Sequence, residues 1–264
     1  AAAEINAGEE REVEREYRHK VDEEKVPIHG NLQVNKKEPN SVRFFSANLN
    51  GLPFWLNNNF KAQHLKYIQE KGRVDAMGLQ ETCINWSEFK TSRTLASLLR
   101  NGAEPIRSVH SHNTLEKENI GYKQRGGTAT ALYGQLAGKV IDSGKDHTGL
   151  GRWSWYRIQG EPGCRTRIVT AYAPTGSESS GWESYYKQIK RFIQNNSLKT
   201  TPKALFREDL CAELKHWRSL GDRIVLMIDA NENVIDGTMV KRMAKRAIGL
   251  REAVHSQTEG PGPK

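Results

Sequence analysis

Short runs of β-branched and aromatic residues recur along the chain, separated by loops that carry Gly, Asn or Pro, a pattern typical of strands. Six runs after residue 41 predict strands: VRFFSAN (42–48), VDAMGLQET (74–82), GGTATALYG (126–134), RWSWYRI (152–158), TRIVTAYAP (166–174) and RIVLMIDAN (223–231). The third, fourth and fifth runs follow one another through Gly-bearing loops, which predicts an antiparallel run of three strands.

Other segments place apolar residues three and four positions apart, which predicts amphipathic helices. These helices are predicted over residues 60–71, 182–195 and 205–220. Strands and helices therefore mix without strict βαβ alternation. This order favours an α/β fold: a two-sheet sandwich of mixed, mostly antiparallel sheets flanked by helices.

The first 40 residues differ from the rest in composition. From Glu9 to Lys25 they are mostly Glu, Arg and Lys, and so few apolar residues cannot offset the entropy lost on ordering. We therefore predict a charged, flexible tail over residues 1–40 and one domain over residues 41–264.

Charge is unevenly divided between these two parts. The tail holds ten acidic and seven basic side chains, which leaves 33 basic and 21 acidic ones in the domain of a chain with net charge +9. Such a basic surplus predicts an anionic partner, nucleic acid before a membrane surface, because neutralised phosphates release counterions.

Targeting signals and cysteine motifs are lacking in the sequence. It has no run of eighteen apolar residues, no basic start followed by an apolar core, and no C-x-x-C pair among its three cysteines. These features predict a soluble, intracellular protein of nucleus or cytoplasm, with reduced thiols and without a disulfide framework or zinc knuckle.

Polar residues that packing does not require follow three of the predicted strands. Asn48 and Asn50 follow the first, Glu81 the second, and Asp229 with Asn231 the last. Mg²⁺ takes oxygen ligands from one or two carboxylates with water and substrate phosphate, and these residues could supply that set. The alternative is that each caps a loop or helix.

The ordered segments SANLNGLP, LQETCINW, RGGTATALYG, GRWSWYRI, TRIVTAYAPT and LMIDANE, which run from about Val42 onward, resemble the endonuclease/exonuclease/phosphatase superfamily. Within it they are most similar to the apurinic-type endonuclease domains of non-LTR retrotransposons. The resemblance implies a DNase I-like fold and hydrolysis of phosphodiesters with Mg²⁺, for which Mn²⁺ can substitute.

The resemblance also implies roles for five residues. Glu81 matches the magnesium-binding glutamate, and Asn48 the asparagine that helps to position metal and phosphate. Tyr172 matches the tyrosine that hydrogen-bonds the scissile phosphate. Asp229 and Asn231 match an Asp-x-Asn pair that orients or deprotonates the attacking water and holds the phosphate.

Two departures from the family pattern stand out. Asn50 occupies a position where apurinic endonucleases usually carry an aspartate, so a neutral amide there should weaken metal binding. The family closes with a strand ending in Ser-Asp-His, whereas this sequence stops 33 residues after Asn231 without that motif. His255 lacks a preceding Asp, so we expect the C-terminal strands and the catalytic histidine to be missing.

Further candidates concern DNA contacts. Arg152, with Trp153 and Trp155, could meet phosphates and stack on bases. A basic helical face is predicted at Lys241, Arg242, Lys245 and Arg246. This face either contacts the DNA backbone or is merely solvated. His110 and His112 are read as solvated histidines of a polar loop.

The leading hypothesis is therefore a Mg²⁺-dependent, DNA-nicking endonuclease of a retroelement, with DNA as partner and a downstream reverse transcriptase in the same polyprotein. No membrane and no organic cofactor is implied. Two alternatives stay open: a phosphatase of inositol phosphates or phospholipids, because a fold does not fix its substrate, and a catalytically dead domain that binds nucleic acid.

Overall fold

The computed structural model describes residues 37–52, 60–89, 94–100, 102–115, 121–181, 183–233, 237–251 and 253. The strands in these ranges are β1 Phe44–Asn48, β2 Ala76–Gln80, β3 Ile106–Ser111, β4 Thr128–Tyr133, β5 Val140–Lys145, β6 Trp153–Gln159, β7 Arg165–Tyr172 and β8 Arg223–Asp229. The helices there are α1 Phe60–Gly72, α2 Leu95–Leu99, α3 Gly134–Gly138, α4 Tyr185–Asn195, α5 Pro202–Ser219 and α6 Thr238–Met243, with a 3₁₀ turn at Trp86–Glu88.

The eight strands form two four-stranded sheets. The first has the order β1-β2-β4-β3 and the second the order β5-β6-β7-β8. The pairs β1–β2 and β7–β8 are parallel, and the other four pairs are antiparallel. The predicted two-sheet α/β sandwich with mostly antiparallel strands is therefore confirmed.

All six predicted strands are present, but one predicted pairing is wrong. β4 was expected to form an antiparallel run with β6 and β7, yet it lies in the first sheet between β2 and β3. The second sheet begins instead with β5, which the sequence pattern did not indicate. β6 and β7 do pair antiparallel, as expected.

The two sheets approach each other closely at β2. Every residue of β2 is buried, because helices cover one face of this strand and the second sheet covers the other. A Cβ on Gly78 would lie only 2.8–2.9 Å from atoms of the Met227 side chain, so glycine permits this approach. The Gln80 side chain then joins the sheets by donating to the Met227 carbonyl at 3.3 Å.

The longer helices pack as their apolar spacing predicts. α5 begins after Thr201, whose side chain caps it, and Pro202 occupies its first turn, where a missing N–H costs nothing. Its apolar face covers the second sheet through Phe206, Leu210, Leu214 and Trp217. α4 begins three residues after Trp182, which lies outside the described residues.

Residues 37–40 are the part of the predicted tail that the structure describes. Contacts group the described residues from 37 to 251 into one compact unit. Lys37, placed in the tail by composition, forms a 2.6 Å ion pair with Asp75 just before β2. Residues 1–36 of the predicted tail, and His255, lie outside the described residues. No helix in the described part of the chain has the length and apolar character of a bilayer span.

The prediction that His110 and His112 are solvated loop residues is wrong. His110 lies in β3 and stacks on Trp86, with ring centroids 4.1 Å apart. His112 is 7% exposed, and its Nε2 lies 3.0 Å from Ser87 Oγ. Burial lowers the pKa of both imidazoles to about 4, and the nearby charge of Lys145 adds to this effect. His112 is buried and His110 is half-buried, and both contact the segment that follows β2 as neutral groups.

These two histidines predict a loss of stability in acid. The folded pKa lies below the unfolded value, so the unfolded chain takes up protons first as the pH falls from 6.5 toward 4. At pH 5 each histidine should lower the free energy of unfolding by roughly 1–2 kcal/mol relative to pH 7. Urea unfolding of His110→Phe, which keeps the stacking on Trp86, should show a weaker dependence on pH than wild type.

The matched control is His216→Gln, which removes an exposed histidine near the end of α5. This control should keep the wild-type dependence of stability on pH. Equal pH dependence in wild type and His110→Phe would contradict the assignment of His110 as a half-buried neutral group.

Candidate active site

The carboxyl ends of four strands meet at one edge of the sandwich. β1 ends at Asn48, which pairs in register with Gln80 at the end of β2, so Glu81 follows immediately beside it. In the second sheet Tyr172 pairs with Asp229 at the ends of β7 and β8. The parallel pairing in each sheet therefore brings residues that are distant in sequence to one place.

A side-chain hydrogen bond joins the two sheets at this edge. Asn48 Nδ2 donates to Asp229 Oδ2 at 2.7 Å, across 181 positions of sequence. Asp229 Oδ1 accepts from the backbone N–H of Asn231 at 3.1 Å, and Asn231 Nδ2 donates to the Ala173 carbonyl at 2.9 Å. Both oxygens of the Asp229 carboxylate are thus held in a fixed orientation.

Tyr172 lies near both Asp229 and Glu81. Its side chain is 1% exposed and stacks on Tyr185, and its hydroxyl is close enough to Thr175 and Glu81 for both to influence its pKa. Burial raises the pKa of Tyr172 well above its usual value, and the charges of Glu81 and Asp229 raise it further. Near neutral pH the Tyr172 hydroxyl therefore stays protonated and available as a donor.

Several residues of these loops have left-handed backbone conformations. The φ angles are +43° at Asn50, +50° at Glu81 and +49° at Asn231. Such angles are costly for residues other than glycine and persist only where surrounding bonds impose them. Here the Glu81 carbonyl accepts from the Gly51 N–H at 2.8 Å, which ties the two loops of the first sheet together.

Lys61 is a site residue that sequence reasoning missed. Its ammonium donates to the carbonyls of Leu49 at 2.5 Å and Gly51 at 2.8 Å, with a longer contact to Asn50 at 3.3 Å. The loop after Asn48 is therefore clamped from α1. No sequence motif signals this role, because the partners are backbone carbonyls.

Asn50 lies beside Asn48 in this clamped loop. Its backbone N–H donates to Asn48 Oδ1 at 2.8 Å, and its side chain is exposed at the edge of the site. The structure therefore brings six sequence-predicted residues to one edge: Asn48, Asn50, Glu81, Tyr172, Asp229 and Asn231.

The donor set of this site fits Mg²⁺. Glu81 and Asp229 both act on the Tyr172 hydroxyl, and neither carboxylate forms an ion pair with a described residue. The described residues contain no cluster of three or more His, Cys, Asp or Glu side chains suited to a metal. Two carboxylates with amide oxygens are a set that Mg²⁺ accepts when substrate phosphate and water complete its shell.

A pocket of about 470 Å³ opens next to these residues. Glu81 and Tyr172 form part of its wall. The other lining residues are Arg125, Thr175, Gly181, Glu183, Ser184 and Tyr185. The candidate site therefore continues into a cavity large enough to hold a part of a substrate beyond one phosphate.

The prediction that Arg152 contacts DNA is wrong. Its side chain is fully buried, and its guanidinium donates to Asp146 at 2.6 and 3.0 Å and to Asp209 at 2.7 Å. Trp153 is 1% exposed, and Trp155 packs against Trp217 at a centroid distance of 5.7 Å. These residues build the core rather than a stacking platform.

The predicted basic helical face is only partly helical. α6 ends at Met243, so Lys241 and Arg242 lie on it, whereas Lys245 and Arg246 lie in the turns that follow. Lys241, Lys245 and Arg246 are exposed. Contact between these side chains and a DNA backbone stays a prediction.

Comparison with known proteins adds the following findings. No known sequence family matches the chain, and no curated protein matches it. Among solved structures, it is similar to the human Nocturnin catalytic domain with bound sulfate, at a TM-score of 0.48 and 14% identity over 79% of this chain and 71% of that one. It is also similar to an AP endonuclease from Archaeoglobus fulgidus, at a TM-score of 0.45 and 14% identity over 79% and 65% of the two chains. A third structure, the 3′ phosphatase NExo from Neisseria bound to a product DNA hairpin, gives a TM-score of 0.46 and 14% identity over 74% and 60%.

Proposed function

We propose that this chain hydrolyses phosphodiester bonds of DNA with Mg²⁺, as a nicking endonuclease of a retroelement. The observation that supports the proposal is the Asn48–Asp229 hydrogen bond across the sheets. It brings an oriented carboxylate into a site that also holds Glu81 and the Tyr172 hydroxyl. Water attack on a phosphodiester requires three groups around one point. They are an acidic group, a neutral donor and a second carboxylate.

Each residue has a role that follows from its contacts. Asp229, fixed by Asn48 and by the Asn231 N–H, orients the attacking water and accepts its proton. Tyr172 donates a hydrogen bond to a phosphoryl oxygen, since its raised pKa keeps the hydroxyl protonated. Asn231, tethered to the Ala173 carbonyl, presents its amide to the phosphate.

The metal-binding role is proposed for Glu81, with Asn48 beside it. When bound, Mg²⁺ supplies positive charge that offsets the negative charge developing on the phosphoryl oxygens. Glu81 is suited to hold the ion, because no described cation neutralises it and its left-handed backbone is fixed by the Gly51 N–H. The neutral Asn50 beside it adds no charge, so we expect weak rather than tight metal binding.

DNA is the proposed substrate because of charge. The chain carries 40 Lys and Arg side chains against 31 Asp and Glu, a surplus that favours an anionic polymer. Exposed Lys241, Lys245 and Arg246 are the proposed contacts to its backbone. The retroelement origin and a downstream reverse transcriptase rest on the sequence resemblance.

Mg²⁺-dependent nicking of supercoiled plasmid is the direct test. We expect nicking in Mg²⁺, loss of nicking in EDTA, and recovery when Mg²⁺ is restored in excess. The assay should use the chain of residues 1–264. Undiminished nicking in EDTA would contradict the metal assignment.

The same protein should be incubated with inositol phosphates and phosphorylated lipids. Phosphate release from these compounds without plasmid nicking would replace DNA by a small phosphomonoester as substrate. Plasmid binding without nicking in Mg²⁺ would favour a domain that only binds nucleic acid.

A further inference from the structure

Among the described residues that line the pocket beside the candidate active site, one is a cation, Arg125. Glu81 and Tyr172 form the wall that adjoins the catalytic groups, and Arg125 contributes from the segment before β4. Because the other charged lining residues are Glu81 and Glu183, this guanidinium is the group there that can attract an anion.

No described residue forms an ion pair or hydrogen bond with the Arg125 guanidinium. The Arg125 side chain is exposed. By contrast, Arg152, Arg157 and Arg167 are each bonded to buried aspartates. An unpaired guanidinium at the edge of a pocket is free to bind a ligand.

The backbone on both sides of Arg125 is fixed to the loop that follows Glu81. The Cys83 N–H donates to the Gly126 carbonyl at 2.8 Å, and the Gln124 N–H donates to the Cys83 carbonyl at 3.2 Å. Gln188 Nε2 donates to the carbonyl of Arg125 itself at 3.4 Å. The position of Arg125 relative to Glu81 is therefore set by the fold.

Gly126 permits this arrangement. Its φ angle is +87°, and a Cβ at this position would lie 2.4 Å from the ring of Tyr185, which also lines the pocket. Only glycine lets the chain pass this ring, so the segment that carries Arg125 is held against the pocket wall.

We infer that this pocket binds a second phosphate of the substrate, next to the scissile one, and that Arg125 is the specificity-determining residue that holds it. The inference rests on the proposed function and narrows it to polynucleotides, in which every internal phosphodiester has phosphate neighbours. A guanidinium matches the geometry of a phosphate and binds it by charge-assisted hydrogen bonds. An isolated phosphodiester would occupy the catalytic groups and leave Arg125 unused.

Two substrates separate this contact from catalysis itself. An oligonucleotide has neighbouring phosphates, whereas bis(p-nitrophenyl) phosphate has a scissile phosphodiester alone. For Arg125→Met we expect a KM for the oligonucleotide about 10-fold higher, the scale of one charged hydrogen bond, and an unchanged rate with bis(p-nitrophenyl) phosphate. Arg125→Lys, which keeps the charge, should recover part of the loss, and Arg100→Met, at an exposed arginine outside the pocket, should behave as wild type.

Affinity for the same oligonucleotide is measured in parallel by fluorescence anisotropy in EDTA, where hydrolysis stops. Arg125→Met should weaken this binding about 10-fold relative to Arg100→Met. If wild type cleaves the oligonucleotide and Arg125→Met cleaves and binds it equally well, the inference is wrong and the proposed function stands. If Arg125→Met slows both substrates alike, Arg125 acts in catalysis and the second phosphate site is wrong. A wild type that cleaves neither substrate overturns both.

Discussion

Asp229→Asn and Glu81→Gln are each expected to slow phosphodiester hydrolysis by roughly 10²-fold or more, the scale of removing a general base or a group that stabilises the transition state. At position 229 the amide oxygen can still accept from Asn48, but it cannot take a proton from water. At position 81 the substitution removes a negative charge, which no cation among the described residues neutralises. The fold should persist, because neither carboxylate forms an ion pair with a described residue.

The measurement is the initial rate of plasmid nicking at saturating Mg²⁺, with thermal melting of each variant to show that it is folded. Asp142→Asn and Glu161→Gln are matched controls, since both carboxylates are exposed and lie outside the site. They should retain wild-type rates. Near wild-type rates in both site variants would mean that the strand-end residues have structural roles only.

The strands that the sequence predicted carry runs of apolar, aromatic or β-branched residues. β2 and β4 are buried along their whole length, so their apolar and β-branched residues form an unbroken signal. β3 and β5 were missed, and both are edge strands rich in polar residues, IRSVHS and VIDSGK, of which those of β5 are mostly exposed. A strand with one partner and a solvated side needs no apolar pattern, so composition alone cannot reveal it.

The sequence indicated those residues of the candidate site that follow directly after strands. Asn48, Glu81 and Asp229 each follow an apolar run that ends in polar residues, a signal readable without structure. Their proximity was not readable, because it depends on which sheet edges face each other. Lys61 and Arg125 were not identified from the sequence. The role of Lys61 depends on contacts with backbone carbonyls, and that of Arg125 on an adjoining pocket. Neither feature can be seen in the local sequence.

From the sequence, the Arg152 guanidinium was expected to bind phosphate, whereas its partners in the structure are carboxylates. Guanidinium groups bind carboxylates with the same paired geometry that they use for phosphates. Asp146, six residues earlier, and Asp209, on α5, provide those carboxylates inside the protein. Burial alone would raise the pKa of Asp146, but the hydrogen bonds and charge of Arg152 outweigh it and hold that pKa below its ordinary value.

The buried position of this pair predicts a large stability effect. Arg152 and Asp146 are both fully buried, so removing Arg152 leaves Asp146 as an uncompensated charge, and removing Asp146 leaves the Arg152 guanidinium with Asp209 as its remaining carboxylate partner among the described residues. Arg152→Met and Asp146→Asn should each lower the free energy of unfolding by roughly 3–5 kcal/mol, measured by urea unfolding at pH 7. The double variant should lose less than the sum of the two, because it buries neither of these charges.

Lys190→Met is the control, since it breaks the exposed pair of Lys190 with Glu178 and should leave stability nearly unchanged. DNA affinity distinguishes a role of Arg152 in the core from a role in contacting DNA. Under conditions in which Arg152→Met remains folded, it should bind DNA as wild type does, because a side chain with no exposed surface cannot reach a phosphate. Wild-type stability together with a loss of DNA affinity in this variant would instead mean that Arg152 leaves the core to contact the substrate, and that the Asp146 pair is not what holds it.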